Sequence, residues 1–246
     1  SARGKPSDNE LALLTPFKDQ LPADVFGEAY QAPITDGSGN NRAQLRTAKK
    51  LLDEAGYKIR DGKAIDPKTN KPVEMELIIR QAGLEKILNP WIANLKKIGI
   101  TVNLRMMDLA QWMNKIQVFD FDIVMLGVSG ADIPGNEQSL LWGSENADVE
   151  SGANYAGIKN PVIDNILKKL NTVTNKEDRV AAARALDRVL THSHYTIPLY
   201  HSKTNRLAFW DIFSYPETRT SYDLRHAVGF HTWWYDKQKA EKLKRK

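Results

Sequence analysis

The sequence predicts an α/β fold built around a mainly parallel sheet. Between Val73 and Trp142 three apolar strand-like runs alternate with two amphipathic helical runs. The order is β-α-β-α-β, and right-handed crossovers make such strands parallel. The last strand empties into S-G-A-D-I-P-G-N-E. Open parallel sheets bind ligands in the crevice beyond the carboxyl ends of their strands, so this loop is the first place to look for a ligand.

Residues 1–41 hold Pro6, Pro16, Pro22, Pro33 and D-G-S-G-N, and read as loops with short helical turns. From Arg42 to Ala55 the residues Leu45, Ala48, Leu51, Leu52 and Ala55 share one side of a helix that Gly56 terminates. Asp61-Gly62 favours a tight hairpin reversal. The first strand of the central unit places Val73, Met75, Leu77 and Ile79 on one face. Leu84, Ile87, Leu88, Trp91, Ile92, Leu95 and Ile98 then recur at helical spacing up to Gly99.

The second strand alternates through Ile100, Val102, Leu104 and Met106, and Asp108 is placed to cap a helix through Trp112 and Ile116. F-D-I-V-M-L-G-V reads as a strand buried on both faces. Beyond the loop, Asn160-Pro161 makes a cap and first position for a helix through Val162, Ile166 and Leu170, and Asn175 caps another through Leu190. Y-T-I-P-L-Y-H reads as an edge strand and R-L-A-F-W-D-I-F as a further one. The end of the chain is rich in aromatics at Phe230, Trp233, Trp234 and Tyr235 but has no clear periodicity.

The 246 residues suffice for a sizeable core, and 41% hydrophobic content is ordinary for a globular protein. No apolar run approaches the ~20 residues that cross a bilayer. The start, S-A-R-G-K-P-S-D-N-E, has neither an initiator Met nor the apolar segment of a signal peptide, as expected of a trimmed or dissected product, and location is not legible in it. The absence of cysteine excludes disulfides, thiolate catalysis and cysteine metal sites. Net charge is +5, but from Asp236 onward six basic residues stand against two acidic ones, so the tail alone supplies +4 and the body is nearly neutral. The basic stripe of a nucleic-acid binder is missing.

The helix R-T-A-K-K-L-L-D-E-A-G-Y, then N-L-K-K-I-G-I-T-V-N-L-R, D-F-D-I-V-M-L-G and N-Y-A-G-I-K-N-P-V-I-D-N-I-L-K-K-L follow one another in order. Together they resemble the extracytoplasmic solute-binding proteins of peptide ABC importers, the dipeptide/oligopeptide-binding family 5. E-L-A-L-L-T-P-F-K-D-Q-L-P, Y-Q-A-P-I-T-D-G-S-G-N-N-R, P-G-N-E-Q and G-F-H-T-W-W-Y-D look like the branch serving microcin C and oligopeptide (Yej-type) importers. The resemblance spans essentially the whole chain and places it at the carboxy-terminal half of such proteins. It implies a type II periplasmic-binding-protein lobe over residues 1–200, and a return segment over 201–246 that completes the first lobe. It also implies a peptide ligand, a membrane permease as partner, no cofactor, a monomer and a periplasmic location.

Family members hold the ligand's free α-amine with an acidic residue after the apolar strand, and Asp132 is the match here. An Asp before Ile133-Pro134 is equally a turn-capping residue, and both readings stand. Asn136 and Glu137 are candidates for hydrogen bonds to a peptide backbone. Trp142 either walls the cleft or packs inward. Asn154 and Tyr155 lie where the family brings a second loop to the cleft. Val128 replaces a Trp common in the family, and Met125 and Ile116 replace arginines of some oligopeptide binders, which leaves the placement of ligand termini open.

Two enzymatic readings compete. Gly127-Val128-Ser129-Gly130-Ala131 mimics a hydrolase elbow using Ser129, but Ile133-Pro134-Gly135 continues as loop where the elbow needs a helix. His192, His194 and His201 match no zinc spacing and read as surface or satisfied histidines.

Overall fold

The computed structural model describes residues 1–127, 133–200, 207–217 and 232–244. The chain divides into two compact units, Ser1–Ile197 and Pro198–Lys246. The first begins with α1 (Asp8–Leu14), two 3-10 turns (Thr15–Gln20 and Ala23–Phe26) and α2 (Arg42–Glu54). The hairpin β1 (Lys58–Arg60) and β2 (Lys63–Ile65) follows, and the central unit is β3 (Glu74–Ile79), α3 (Glu85–Lys97), β4 (Thr101–Met106), α4 (Leu109–Gln117) and β5 (Ile123–Val124). Then come α5 (Glu137–Trp142), α6 (Pro161–Thr172) and α7 (Lys176–His192).

The three-stranded sheet is parallel throughout, in the order β4-β3-β5. Alternation on β3 splits its apolar residues between two cores. Leu77 and Ile79 pack with Leu88, Trp91, Ile92 and Leu95 of α3. Ile78 packs with Trp112 and Ile116 of α4 on the opposite face. The helices leaving β3 and β4 therefore cover opposite faces, and the connections diverge between these two adjacent strands.

Helix ends follow from local chemistry. Asp108 accepts from the Gln111 N–H at 2.9 Å and Asn160 from the Val162 N–H at 2.9 Å, each capping its helix. After α3, Ile100 N–H reaches Leu95 C=O and Gly99 N–H reaches Lys96 C=O, a Schellman closure that puts Gly99 at φ +85°. A Cβ there would stand 2.6 Å from the Ala64 nitrogen, so only glycine lets the α3–β4 turn lie against the β1–β2 hairpin. Asp61 and Gly62 both take positive φ, as a tight hairpin reversal requires.

The third core lies between α6 and α7, where Ile163, Ile166, Leu170, Ala182, Ala185, Leu186 and Val189 meet Leu14, Leu21 and Val25 of the amino-terminal segment. Arg188 is fully buried within it. Its Nε donates to Glu10 Oε2 at 2.7 Å, and its Nη atoms donate to the carbonyls of Arg3, Gly4 and Gly27.

The second unit carries β6 (Phe213–Ser214) antiparallel to β7 (Trp234–Tyr235), followed by α8 (Lys237–Lys244). Phe209 and Tyr215 lie 4.6 and 5.0 Å from Trp233, ring centre to ring centre. Asp236 starts α8: it accepts from Ser214 Oγ at 2.7 Å and from the Lys239 N–H at 3.1 Å, which hold its carboxyl below the usual range.

Three expectations need correction. The strand after α4 is two residues long, because β5 is an edge with a ladder to β3 alone, although Met125 and Leu126 still continue its packing onto the two faces. Residues 195–200 form no strand, since Pro198 removes a donor and Ile197, Leu199 and Tyr200 stand exposed; His201 lies outside the described residues. The helix Arg42–Glu54 forms, but its apolar side is only partly covered, with Leu45, Ala48 and Leu52 half-buried and Leu51 59% exposed.

Two predictions follow from these contacts. Arg188→Ala leaves Glu10 and three carbonyls buried without a donor and is expected to cost about 3–5 kcal/mol in chemical denaturation, with Arg188→Lys intermediate. On the sheet, Lys115 Nζ at 2.8 Å and Arg105 Nη1 at 3.2 Å hold the Glu76 carboxyl below its ordinary value near 4.5. A carboxyl depressed in the folded state stabilises fully above its unfolded pKa and loses that contribution as pH falls through the folded value. Glu76→Gln is therefore expected to flatten the acid limb of a stability profile as pH falls below the ordinary glutamate value near 4.5, read from urea midpoints. Lys115, raised above its ordinary value by the hydrogen bonds it donates to Glu76 and Asp120, gives the reverse: its contribution is present below its unfolded pKa and is lost as pH rises through the folded one.

Candidate ligand-binding site

The carboxyl edge of the parallel sheet is formed by Arg80 after β3, Met107 and Asp108 after β4, and Leu126 and Gly127 after β5. Because the helices after β3 and β4 cover opposite faces, these strand ends form a topological switch point, the place where open α/β sheets take ligands. Arg80 emerges from the central strand, and its guanidinium carbon sits 5.3 Å above the Trp112 ring. Trp112 is 6% exposed, and its Nε1 has no hydrogen-bond partner. Met106, Leu109 and Met113 stand exposed at the β4–α4 junction and along α4.

Asp132 and Ser129 lie outside the described residues, and with them the expected amine anchor and the hydrolase nucleophile. The loop resumes at Ile133. Glu137 Oε1 accepts from the Gly135 N–H at 2.9 Å, closing a small ring at the start of α5. Burial pushes the Glu137 carboxyl up, but the N–H groups of Gly135 and Glu137 and the Gln138 amide outweigh it and hold the pKa below the ordinary value. Glu137 is therefore a carboxylate at neutral pH. Asn136 Oδ1 accepts from Asn171 of α6 at 3.2 Å, and the same Asn171 amide donates to Ser139 Oγ at 2.9 Å, tying the loop to the helix beneath.

Trp142 takes the inward reading. Its ring packs on the α6–α7 core, and its Nε1 donates to Gln138 Oε1 at 3.1 Å. Asn154 is wholly buried: both amide hydrogens go to the carbonyls of Gly143 and Ile158, at 3.0 and 2.9 Å, and its oxygen accepts from the Ile158 N–H at 3.0 Å. Such a side chain fastens the α5 exit to the α6 entry and has no amide hydrogen left for a ligand. Tyr155 departs in the other direction and packs with Trp112, Ile78 and Leu126, its ring 6.5 Å from Phe119. The structure thus brings Asn136, Glu137, Trp142 and Asn154 to one loop platform and sends Tyr155 to the sheet core. Arg80, which closes the strand motif, was not singled out by the sequence, because its importance lies in a ring thirty-odd residues away.

His192 and His194 flank Tyr30, with ring centres at 5.8 and 5.7 Å, and among the described residues no group of three or more His, Asp or Glu comes together as a metal site. No helix among them is long and apolar enough to cross a membrane.

Residues 15–149, more than half of the chain, match the bacterial extracellular solute-binding proteins, family 5 Middle. The probable peptide-binding protein YejA of Agrobacterium fabrum is 38% identical over 238 residues, which cover 96% of this chain and 38% of that protein. The uncharacterized YejA of Escherichia coli K12 is 35% identical over 244 residues, 99% of this chain and 39% of its own length. The chain therefore spans less than two fifths of either relative. Among solved structures, the oligopeptide-binding protein AppA of Bacillus subtilis, in complex with a nonapeptide, superposes with a TM-score of 0.55 at 20% identity, over 76% of this chain and 38% of that one. That likeness shows the type II periplasmic-binding-protein fold. The chain belongs to family 5 of the bacterial extracellular solute-binding proteins.

Proposed function

We propose that this chain is one lobe of the periplasmic, non-catalytic component of an ABC importer, which binds oligopeptides and hands them to an inner-membrane permease. The observation that carries the reading is the family match over residues 15–149, joined to a topological switch point at the carboxyl edge of the sheet. The Yej-type relatives, one of them described as a probable peptide-binding protein, support peptides as the cargo, with microcin C among the candidates. In this reading residues 1–200 form the carboxy-terminal ligand-binding lobe, 201–246 form a return segment that completes the first lobe, and the protein works as a monomer.

Asp132 is the proposed anchor of the peptide α-amine, with Glu137 adding negative charge nearby in sequence and Asn136 offering its amide to the ligand backbone. A charge-assisted hydrogen bond in a closed cleft is stronger than in open water, so one carboxylate suffices to orient the amine. Trp142 and Asn154 support the loop rather than meet the ligand, and Tyr155 lines the base of the crevice.

Native mass spectrometry of the protein purified from its own periplasm, with released ligands sequenced, tests the reading. Co-purifying peptides are expected, and Asp132→Ala is expected to weaken them about 10–100-fold. Unchanged affinity in that variant moves the amine anchor elsewhere but keeps the cargo class. A protein that arrives empty and also binds nothing from a diverse peptide pool overturns the peptide reading.

A further inference from the structure

We propose that Arg179 is the positioning residue of the Pro134–Glu137 loop, and that it sets the geometry in which Asn136 and Glu137 meet a peptide. The inference rests on the peptide reading above and adds to it the side chain that holds the loop from behind.

The peptide unit between Pro134 and Gly135 is gripped on both edges. Its carbonyl accepts from Arg179 Nη1 at 3.5 Å, and its N–H donates to Glu137 Oε1 at 2.9 Å. In a trans peptide unit these two groups point in opposite directions, so the cation and the carboxylate hold the plane from opposite sides. Both contacts involve a charged group, and each polarises the peptide unit in the sense that strengthens the other. A Cβ on Gly135 would stand 3.1 Å from Glu137 Oε2, so glycine keeps the carboxylate's approach open.

Arg179 is itself held. Its Nη2 donates at 2.7 Å to the carbonyl of Val173, the buried residue that ends α6. Asn175 caps α7 through the Asp178 N–H at 2.8 Å, which fixes the turn of helix from which Arg179 projects. The short bond to Val173 anchors the guanidinium, and the longer one is its reach from that anchor to the loop. One planar fork thus spans the α6–α7 turn and the loop together, which the single amine of a lysine does not. Asn171, in the last turn of α6, adds a second point of attachment at Asn136 Oδ1. The α6–α7 junction therefore holds the loop at Pro134 through a charge and at Asn136 through an amide.

Hydrogen exchange at Gly135, carbon-13 titration of Glu137 and retention of a random pentapeptide library, all on the protein as its organism makes it, test the assignment. Burial pushes the Glu137 carboxyl up, and the N–H groups of Gly135 and Glu137 with the Gln138 amide bring it below its ordinary value. Freeing the Pro134–Gly135 unit is therefore expected to move that titration upward. Arg179→Gln is expected to speed exchange at Gly135 about tenfold, to raise the Glu137 titration toward its ordinary value, and to weaken peptide retention about 5–10-fold. Arg179→Lys keeps the charge and reaches one carbonyl, and is expected to fall between the two in all three readouts. Arg184→Gln, which borders the groove between α1 and α7 instead, is expected to match the wild type.

The proposal is overturned if Arg179→Gln leaves Gly135 exchange and the Glu137 titration unchanged, or if it loosens the loop and retains peptides like the wild type. It is also overturned if Arg179→Gln and Arg179→Lys speed exchange throughout α6 and α7 as much as at Gly135, since that marks a loss of general stability. A wild type that retains no peptide overturns the peptide reading instead, and the exchange and titration still decide whether Arg179 holds the loop.

Discussion

The buried Arg188–Glu10 pair is the constraint on which the helical half of the larger unit depends. Ser7 and Glu10 form a reciprocal cap at the start of α1, with the Glu10 N–H on Ser7 Oγ at 3.3 Å and the hydroxyl on Glu10 Oε1 at 3.2 Å. That cap aims the second carboxylate oxygen at Arg188 in α7, 178 positions away. The remaining guanidinium bonds collect the carbonyls of Arg3, Gly4 and Gly27, so one side chain gathers both ends of the amino-terminal segment. Only when this segment is seated do Leu14, Leu21 and Val25 reach the apolar faces of α6 and α7. The pair itself adds little net stability over an apolar replacement, since desolvating two charges offsets their attraction. Its effect falls on placement, because this seating gives the guanidinium Glu10 and the three carbonyls as partners.

That clasp reaches the candidate site through a chain of contacts. The α6–α7 core supports Trp142, and Asn171 of α6 holds Asn136 and Ser139. Asn154 joins Gly143 to Ile158, and Asn160 starts α6 while its N–H donates to Ser144 Oγ at 3.0 Å. The loop platform is thus built from asparagines whose amides replace missing backbone partners. The sheet edge is organised differently, by the divergence of α3 and α4 to opposite faces. Two separate cores therefore position two walls: a helical one under the acidic loop, and a sheet one under Arg80.

Elements with local signals were legible in the sequence. Asn160-Pro161, Asn175 and Asp108 each specify a helix start by chemistry within three residues, and Asp61-Gly62 and Gly99 specify turns by the backbone conformations they permit. Elements whose state depends on a neighbour were not. Tyr195–Tyr200 has strand-like residues but no ladder forms among them. The apolar side of α2 has the right period, yet nothing in the sequence says what covers it. The same limit governs the site. Asn154 reads as a loop amide until Gly143 and Ile158 are seen to use it, and Arg188 reads as one more charge on a helix whose apolar stripe leaves no room for it. The contact between Arg80 and the Trp112 ring, 5.3 Å from guanidinium carbon to ring centre, joins residues thirty-two positions apart and is invisible to local pattern.

The surroundings of Arg80 bear on how selective such a wall can be. Met106, Leu109 and Met113 are exposed at the β4–α4 junction and along α4, the helix that carries Trp112. Thioethers and leucine present flexible apolar surface without directional bonds, and they adapt to side chains of different shape at small cost.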